Sequence, residues 1–320
     1  MKCKKSIMGL AALLIVFFHF YIPFTNHTAE LVIYRAAYIG VDLFFFVSAY
    51  SLAHREKTAY LSFLGNRFLN VYVPFAVFAA IAGFYQKWQL SRFFKVISGV
   101  EFFERGGGSF LWFFVGIMLL YLIAPFLVEL KQRLGLKGLA LMLSGWLVLA
   151  LIFQYVLENR NIFILLNRLP VFFAGMYYGE IRKIPLGKFK LPVLVIGLIL
   201  GGFLIKEYGS LTRLNKPFYD MYYVIAVLFI LALVGLWDYV SSRIKIRKSP
   251  LGFIGKLTLE LYGLQMIFGY DIENMFLKSL GHASAAFFLT ALCLIFLAYI
   301  LYLIKKAIIR LSYILKERKT

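Results

Sequence analysis

The chain of 320 residues is 62% hydrophobic and only 16% charged, with a mean hydropathy of +0.81, whereas soluble domains carry about 25% charged residues. That balance excludes a soluble enzyme and implies an all-α, polytopic membrane bundle with room for about ten spans and no separate soluble domain. The formal net charge of +20 reads as a basic rim against anionic lipid heads. It does not call for nucleic acid, since no RNA- or DNA-binding motif occurs in any loop.

In chain order the apolar runs fall near 7–24, 36–53, 69–86, 109–130, 138–157, 162–180, 191–206, 218–240, 253–276 and 283–304, ten expected spans forming one domain over 1–320. Pro23, Pro74, Gly106-Gly107-Gly108, Gly135, Pro185, Pro192, Pro217 and Pro250 stand at or near the proposed ends. No small-residue cleavage site follows the first run, which therefore reads as an uncleaved helix. Cys3 and Cys293 have neither disulfide nor metal spacing, and His19, His27, His54 and His282 fall in separate segments, so no metal site is expected.

Charge sets the expected orientation. If the N-terminus, the even-numbered loops and the C-terminus share one side, that side holds 24 of the 35 Lys and Arg residues. The positive-inside rule then places both termini in the cytoplasm and requires an even number of spans. Arg243-Ile244-Lys245-Ile246-Arg247-Lys248 reads as a lipid-head contact. Trp88, Phe93, Phe94, Phe102 and Phe103, beside Arg92, Lys95 and Arg105, form an interfacial segment in the third loop, or alternatively an outer lid.

Ionisable and polar residues inside spans are costly and mark function. Asp42 lies in Gly40-Val41-Asp42-Leu43-Phe44-Phe45-Phe46-Val47-Ser48, about 9 Å from the outer face, and His19 lies about 8 Å from it on the first span. Arg168 in the sixth span and Gln265 in the ninth fall in the same outer layer, so four helices are expected to bring four polar groups together. A histidine whose ring N–H is held by a carboxylate is fixed in one tautomer, and its other nitrogen can take a proton from a hydroxyl. The same residues also fit helix–helix hydrogen bonding, with Asp42 as a structural partner of Arg168. Ser48 and Tyr50, the nearest hydroxyls on the second span, read as packing and interface residues.

Short motifs recur in a familiar order. Gly9-Leu10-Ala11-Ala12-Leu13-Leu14-Ile15-Val16-Phe17-Phe18-His19 and the Asp42 segment are followed by Asn66-Arg67-Phe68-Leu69 through Pro74, then by Leu111-Trp112-Phe113-Phe114 with Tyr121 and Pro125. Arg168-Leu169-Pro170 with Phe172 and Gly175, and Leu251-Gly252 through Lys256-Leu257-Thr258 to Tyr262, complete the order. Together they resemble the acyltransferase 3 family of bacterial membrane O-acyltransferases over nearly the whole chain.

That resemblance implies a cytoplasmic acyl-CoA co-substrate, usually acetyl-CoA. It implies transfer to a hydroxyl of a carbohydrate or lipid-linked glycan of the cell envelope, at the bacterial inner (plasma) membrane. His19 would be the essential base and Asp42 its partner, with Arg168 or Gln265 at the oxyanion or substrate and Arg67, Lys4 and Lys5 at the donor phosphates. Three positions depart from the family pattern: Met8 replaces an arginine, and Phe110 and Gln265 each replace a histidine. Two other functions stay open, a transporter or flippase of an envelope precursor and an inactive family member acting as a scaffold.

Overall fold

The computed structural model describes residues 3–20, 37, 39–54, 60–211, 222–243 and 249–317, except for the side chains of 160, 204–211, 222–225, 308–309 and 311–317. The expected stretches 21–24, 36, Arg55, Lys57, His27 and the run 244–248 lie outside the described residues. All regular structure among the described residues is helical.

The first helices show why. α1 (Lys4–His19) is apolar all round from Ile7 to Phe18, as a buried or membrane-embedded helix must be. α2 (Gly40–Ala53) crosses it at Gly40, where an added Cβ would lie 2.7 Å from the Ala11 carbonyl oxygen and 2.9 Å from the Ile15 side chain. Only glycine lets these backbones meet so closely. α3 (Tyr60–Tyr85) starts nine residues before the expected span and runs through Pro74 without breaking. The π turn at Phe68–Tyr72 is the reason: proline lacks the N–H that would close the preceding α turn, and the ladder shifts so that Val73 N–H donates to Phe68 O.

Two short helices, α4 (Leu90–Ile97) and α5 (Val100–Arg105), occupy the third loop. α6 (Trp112–Leu134) and α7 (Leu136–Tyr155) match the fourth and fifth runs. The sixth is interrupted: α8 (Phe163–Leu166) ends at Asn167-Arg168, and α9 (Leu169–Ile181) starts afresh with Pro170 in its first turn. α10 (Lys190–Leu211) and α11 (Tyr222–Arg243) pair with each other. α12 (Pro250–Ile254), capped by Ser249, leads into α13 (Thr258–Leu280), and α14 (Ala283–Glu317) runs well past the expected 304.

Among the described residues five helical stretches are long and apolar enough to cross a membrane: α3, α6, α7, Ala226–Arg243 of α11 and Ala283–Ala307 of α14. Their outward faces carry large bare side chains such as Phe84, Phe126 and Phe296, which suits hydrocarbon and not water.

The basic N-terminus meets the ends of other helices at one end of the bundle. Cys3 Sγ donates to Asp238 at the end of α11, Ser6 bonds Ser249 before α12, and the α1 backbone at Lys5 abuts Gly255. There too Lys131 of α6 pairs with Glu180 of α9 at 2.9 Å, and Tyr177 donates to the Gly135 carbonyl.

Candidate active site

Asp42 is completely buried and ion-paired with Arg168, Nε to Oδ1 3.3 Å, where the arginine is itself 1% exposed. The helix break supplies the geometry. Arg168 caps α9, its Nη1 donates to the Ile164 carbonyl of α8 at 2.6 Å, and its guanidinium lies 4.9 Å from the centre of the Trp112 ring. Asp42 Oδ2 finds no hydrogen-bond donor among the described residues.

Trp112 is held in turn by a network outside the bundle. Glu101 on α5, 3% exposed, accepts from Arg92 at 3.0 Å, from Arg105 at 3.3 Å and from the backbone N–H of Phe110 at 2.9 Å. The next residue, Leu111, is fully buried in the left-handed region at φ +50°, a conformation that costs a leucine about 1–2 kcal/mol and persists only where the surroundings fix it. Glu101 therefore sets the entry of α6 and with it the ring under Arg168. The aromatic segment of the third loop is folded into α4 and α5, with Phe102 buried and Arg92 over Trp88 at 4.4 Å.

His19 stands apart from this pair. Its Nδ1 lies 2.9 Å from the Ile15 carbonyl and donates to it, so in the neutral ring Nε2 carries the lone pair. The tautomer is set by the residue's own helix and not, as expected, by Asp42. The matching depth also fails. Gly40 meets α1 between Ala11 and Ile15, so His19 lies above that crossing and Asp42 below it, roughly 10 Å apart along the axis at 1.5 Å per residue. Counting from proposed span ends missed this offset because α1 runs past the start of α2.

Gln265, 5% exposed, reaches a small gap walled by Ala12, Ile15, Phe44, Thr258, Leu261 and Tyr262, and its Oε1 has no partner among the described residues. It sits about one turn below His19, since Gly269, four residues further along α13, packs against Phe20. The four polar groups thus form a graded series, with the Asp42–Arg168 pair on one flank, and not the single layer expected.

Several of the same residues border a cavity of about 160 Å³ toward the basic end. Met8, Ile15, Phe44, Val71, Phe113 and Phe114 make it largely apolar, while Ser48, Tyr121, Thr258 and Tyr262 bring hydroxyls to its wall. Tyr121 OH lies 3.5 Å from Ser48 Oγ, and the Arg67 guanidinium lies over the Tyr121 and Phe63 rings at 4.8 and 5.3 Å. Arg67 Nε is buried without a hydrogen-bond partner among the described residues. Lys4 instead lies over Tyr50 at 5.1 Å, and Lys5 is exposed. Of the three cations expected at a donor site, Arg67 is the one stacked on the cavity wall.

Periodicity alone did not single out Tyr121, Thr258 or Glu101, and Ser48 read as packing. A signal for Glu101 existed in the arginines nine residues before it and four after it.

The fold and this site define a helical membrane protein with a buried polar centre. A family model described as an acyltransferase domain matches residues 8–304, and the chain therefore belongs to the acyltransferase 3 family. Membrane acyl transfer is the activity that this membership supports. No curated protein and no solved structure matches the chain.

Proposed function

We propose that the protein moves a short acyl group, acetyl in the simplest case, from cytoplasmic acyl-CoA to a hydroxyl of a cell-envelope carbohydrate. The observation that carries this reading is the cavity flanked by two unlike groups: Arg67 on the basic side, and His19 one turn beyond Ile15 on the other. A guanidinium with a buried, unpartnered Nε suits a phosphate. A neutral imidazole with its lone pair on Nε2 suits a general base. An engineered apolar cavity of about 150 Å³ takes up benzene, so the volume fits a short acyl group and not a long chain.

In this mechanism the CoA phosphates rest near Arg67 and the thioester enters between α1, α2, α6 and α13. His19 Nε2 takes the acceptor's hydroxyl proton as the oxygen attacks the thioester carbonyl. The Gln265 amide donates to the developing oxyanion. The C–S bond breaks, and the proton passes from His19 to the departing CoA thiolate. Asp42 and Arg168 act by holding the break between α8 and α9 in place. Ten spans with both termini cytoplasmic complete the picture, supported by the basic N-terminus lying at the same end of the bundle as Lys131, Arg182 and Ser249.

A second reading, a family member that binds acyl-CoA without transferring it, is favoured by Met8 and Gln265 standing where the family carries arginine and histidine. One comparison tests both. Membranes carrying the wild-type chain are expected to acylate envelope glycan and consume acetyl-CoA, and His19→Ala membranes to do neither. Equal glycan acylation in the two would overturn the enzymatic reading, and acetyl-CoA binding without acylated product would favour the second.

A further inference from the structure

At the basic end of α9, α9, α10 and α11 enclose a crevice of about 670 Å³ that the proposed reaction does not use. It is built in two parts. Along α10 and α11 its walls are apolar: Val193, Leu194, Leu228 and Leu231, with Gly197 and Gly235 where the two helices pack closely, Gly197 against Ala232 and Gly235 against Leu194. Val193 is 47% and Leu228 56% exposed, so the crevice opens sideways where lipid tails lie. At the basic end the lining turns polar, with Arg182, Lys190, Asp238, Ser241 and Ser242.

Charge at this end is not balanced among the described residues. Arg182 pairs with Asp238 at 3.4 Å, but Lys190 has no carboxylate partner among the described residues, and its Nζ approaches only the Arg182 carbonyl, at 3.4 Å. Lys183 and Lys188 add two more cations on the connecting turn. A cationic, hydroxyl-bearing mouth above an apolar slot open to the bilayer matches one ligand chemistry, an anionic head on hydrocarbon tails. We infer that this crevice is a phospholipid site, taking an anionic headgroup phosphate at Lys190 and Arg182, beside Ser241 and Ser242 whose hydroxyls donate to the Asp238 and Tyr239 carbonyls, and laying acyl tails along α10 and α11. A neutral tail alone would leave Lys190 without an anion, and a free phosphate would leave the slot without an occupant.

The test uses the full-length purified protein with equimolar phosphatidylglycerol and phosphatidylcholine, read as retained lipid by native mass spectrometry. Wild type should keep phosphatidylglycerol preferentially. Lys190→Gln should lower its retention about fivefold, the worth of one cation near a membrane surface, and leave phosphatidylcholine unchanged. Leu228→Trp, on a lipid-facing position that tolerates bulk, should lower both by filling the slot. Millimolar glycerol phosphate should not displace the lipid. Equal retention of the two lipids by wild type, unchanged phosphatidylglycerol in both variants, or displacement by glycerol phosphate would each overturn the assignment.

Discussion

Removing either half of the Asp42–Arg168 pair should cost nearly as much as removing both. Each partner is essentially inaccessible, and the pair joins α2 to the break before α9. Breaking a buried pair on one side typically costs about 3–5 kcal/mol, because the surviving charge stays buried without compensation. Asp42→Asn leaves Arg168 with the Ile164 carbonyl and the Trp112 face, which places the loss near the lower bound, about 3 kcal/mol. Arg168→Gln removes the guanidinium from Asp42, Ile164 and Trp112 at once, and should cost at least as much. The double variant buries no charge, and its loss should fall below the sum of the singles by 2 kcal/mol or more, within the range measured for contacting residues, about 0.5–3 kcal/mol. Reversible unfolding of the purified protein in mixed micelles, run as a double-mutant cycle, measures the coupling. Single-variant losses that add to within about 0.5 kcal/mol would refute the pairing.

Glu101→Gln should destabilise the α4–α5 segment by about 1.5 kcal/mol, since it weakens the charge-assisted hydrogen bonds from the half-exposed Arg92 and Arg105; faster amide exchange at 90–111 would report it, and unchanged exchange would count against the network. Gly9→Ala would set a Cβ 1.9 Å from the Leu251 carbonyl oxygen and should cost about 3 kcal/mol, read as a lower unfolding midpoint, whereas Gly145→Ala, with open space around it, should be neutral. Met8→Arg restores a cation to the cavity wall and should reverse at least half of any rise in the acyl-CoA KM caused by Arg67→Gln; no rescue would detach Met8 from the donor path. Burial pushes the Cys3 thiol above its ordinary pKa, so less thiolate exists at neutral pH; iodoacetamide should alkylate it at least tenfold more slowly than in the unfolded chain, and equal rates would contradict its packing.

Much of the fold was legible because hydrocarbon demands long apolar runs, and α6, α7 and the start of α14 fall close to where the pattern puts them. Sequence reading failed where the backbone departs from a simple helix. Pro74 looked like a boundary, yet the π turn carries α3 through it, and the sixth run looked continuous although Arg168 stands in a break. Asp42 and Arg168 were visible as costly groups inside apolar segments, and one of the two partnerships weighed for Asp42 is the one observed. The depth of His19 was not legible, because the crossing register of α1 and α2 is set by how closely Gly40 approaches Ala11, a packing detail that span counting does not contain. Ser48, Tyr121 and Thr258 sit on different helices and acquire a common role only through the cavity they line.

Steady-state transfer from labelled acetyl-CoA by the purified protein in bilayers, for wild type, His19→Ala and Arg67→Gln, tests the central claim most directly. A general base contributes about 10²–10⁴-fold, so His19→Ala should lower kcat by at least a hundredfold with little change in the acyl-CoA KM. Loss of a charge-assisted phosphate contact, about 1.5–3 kcal/mol, should raise that KM in Arg67→Gln by roughly ten- to a hundredfold and leave kcat nearly intact. A His19→Ala protein that keeps kcat within twofold of wild type would contradict the account.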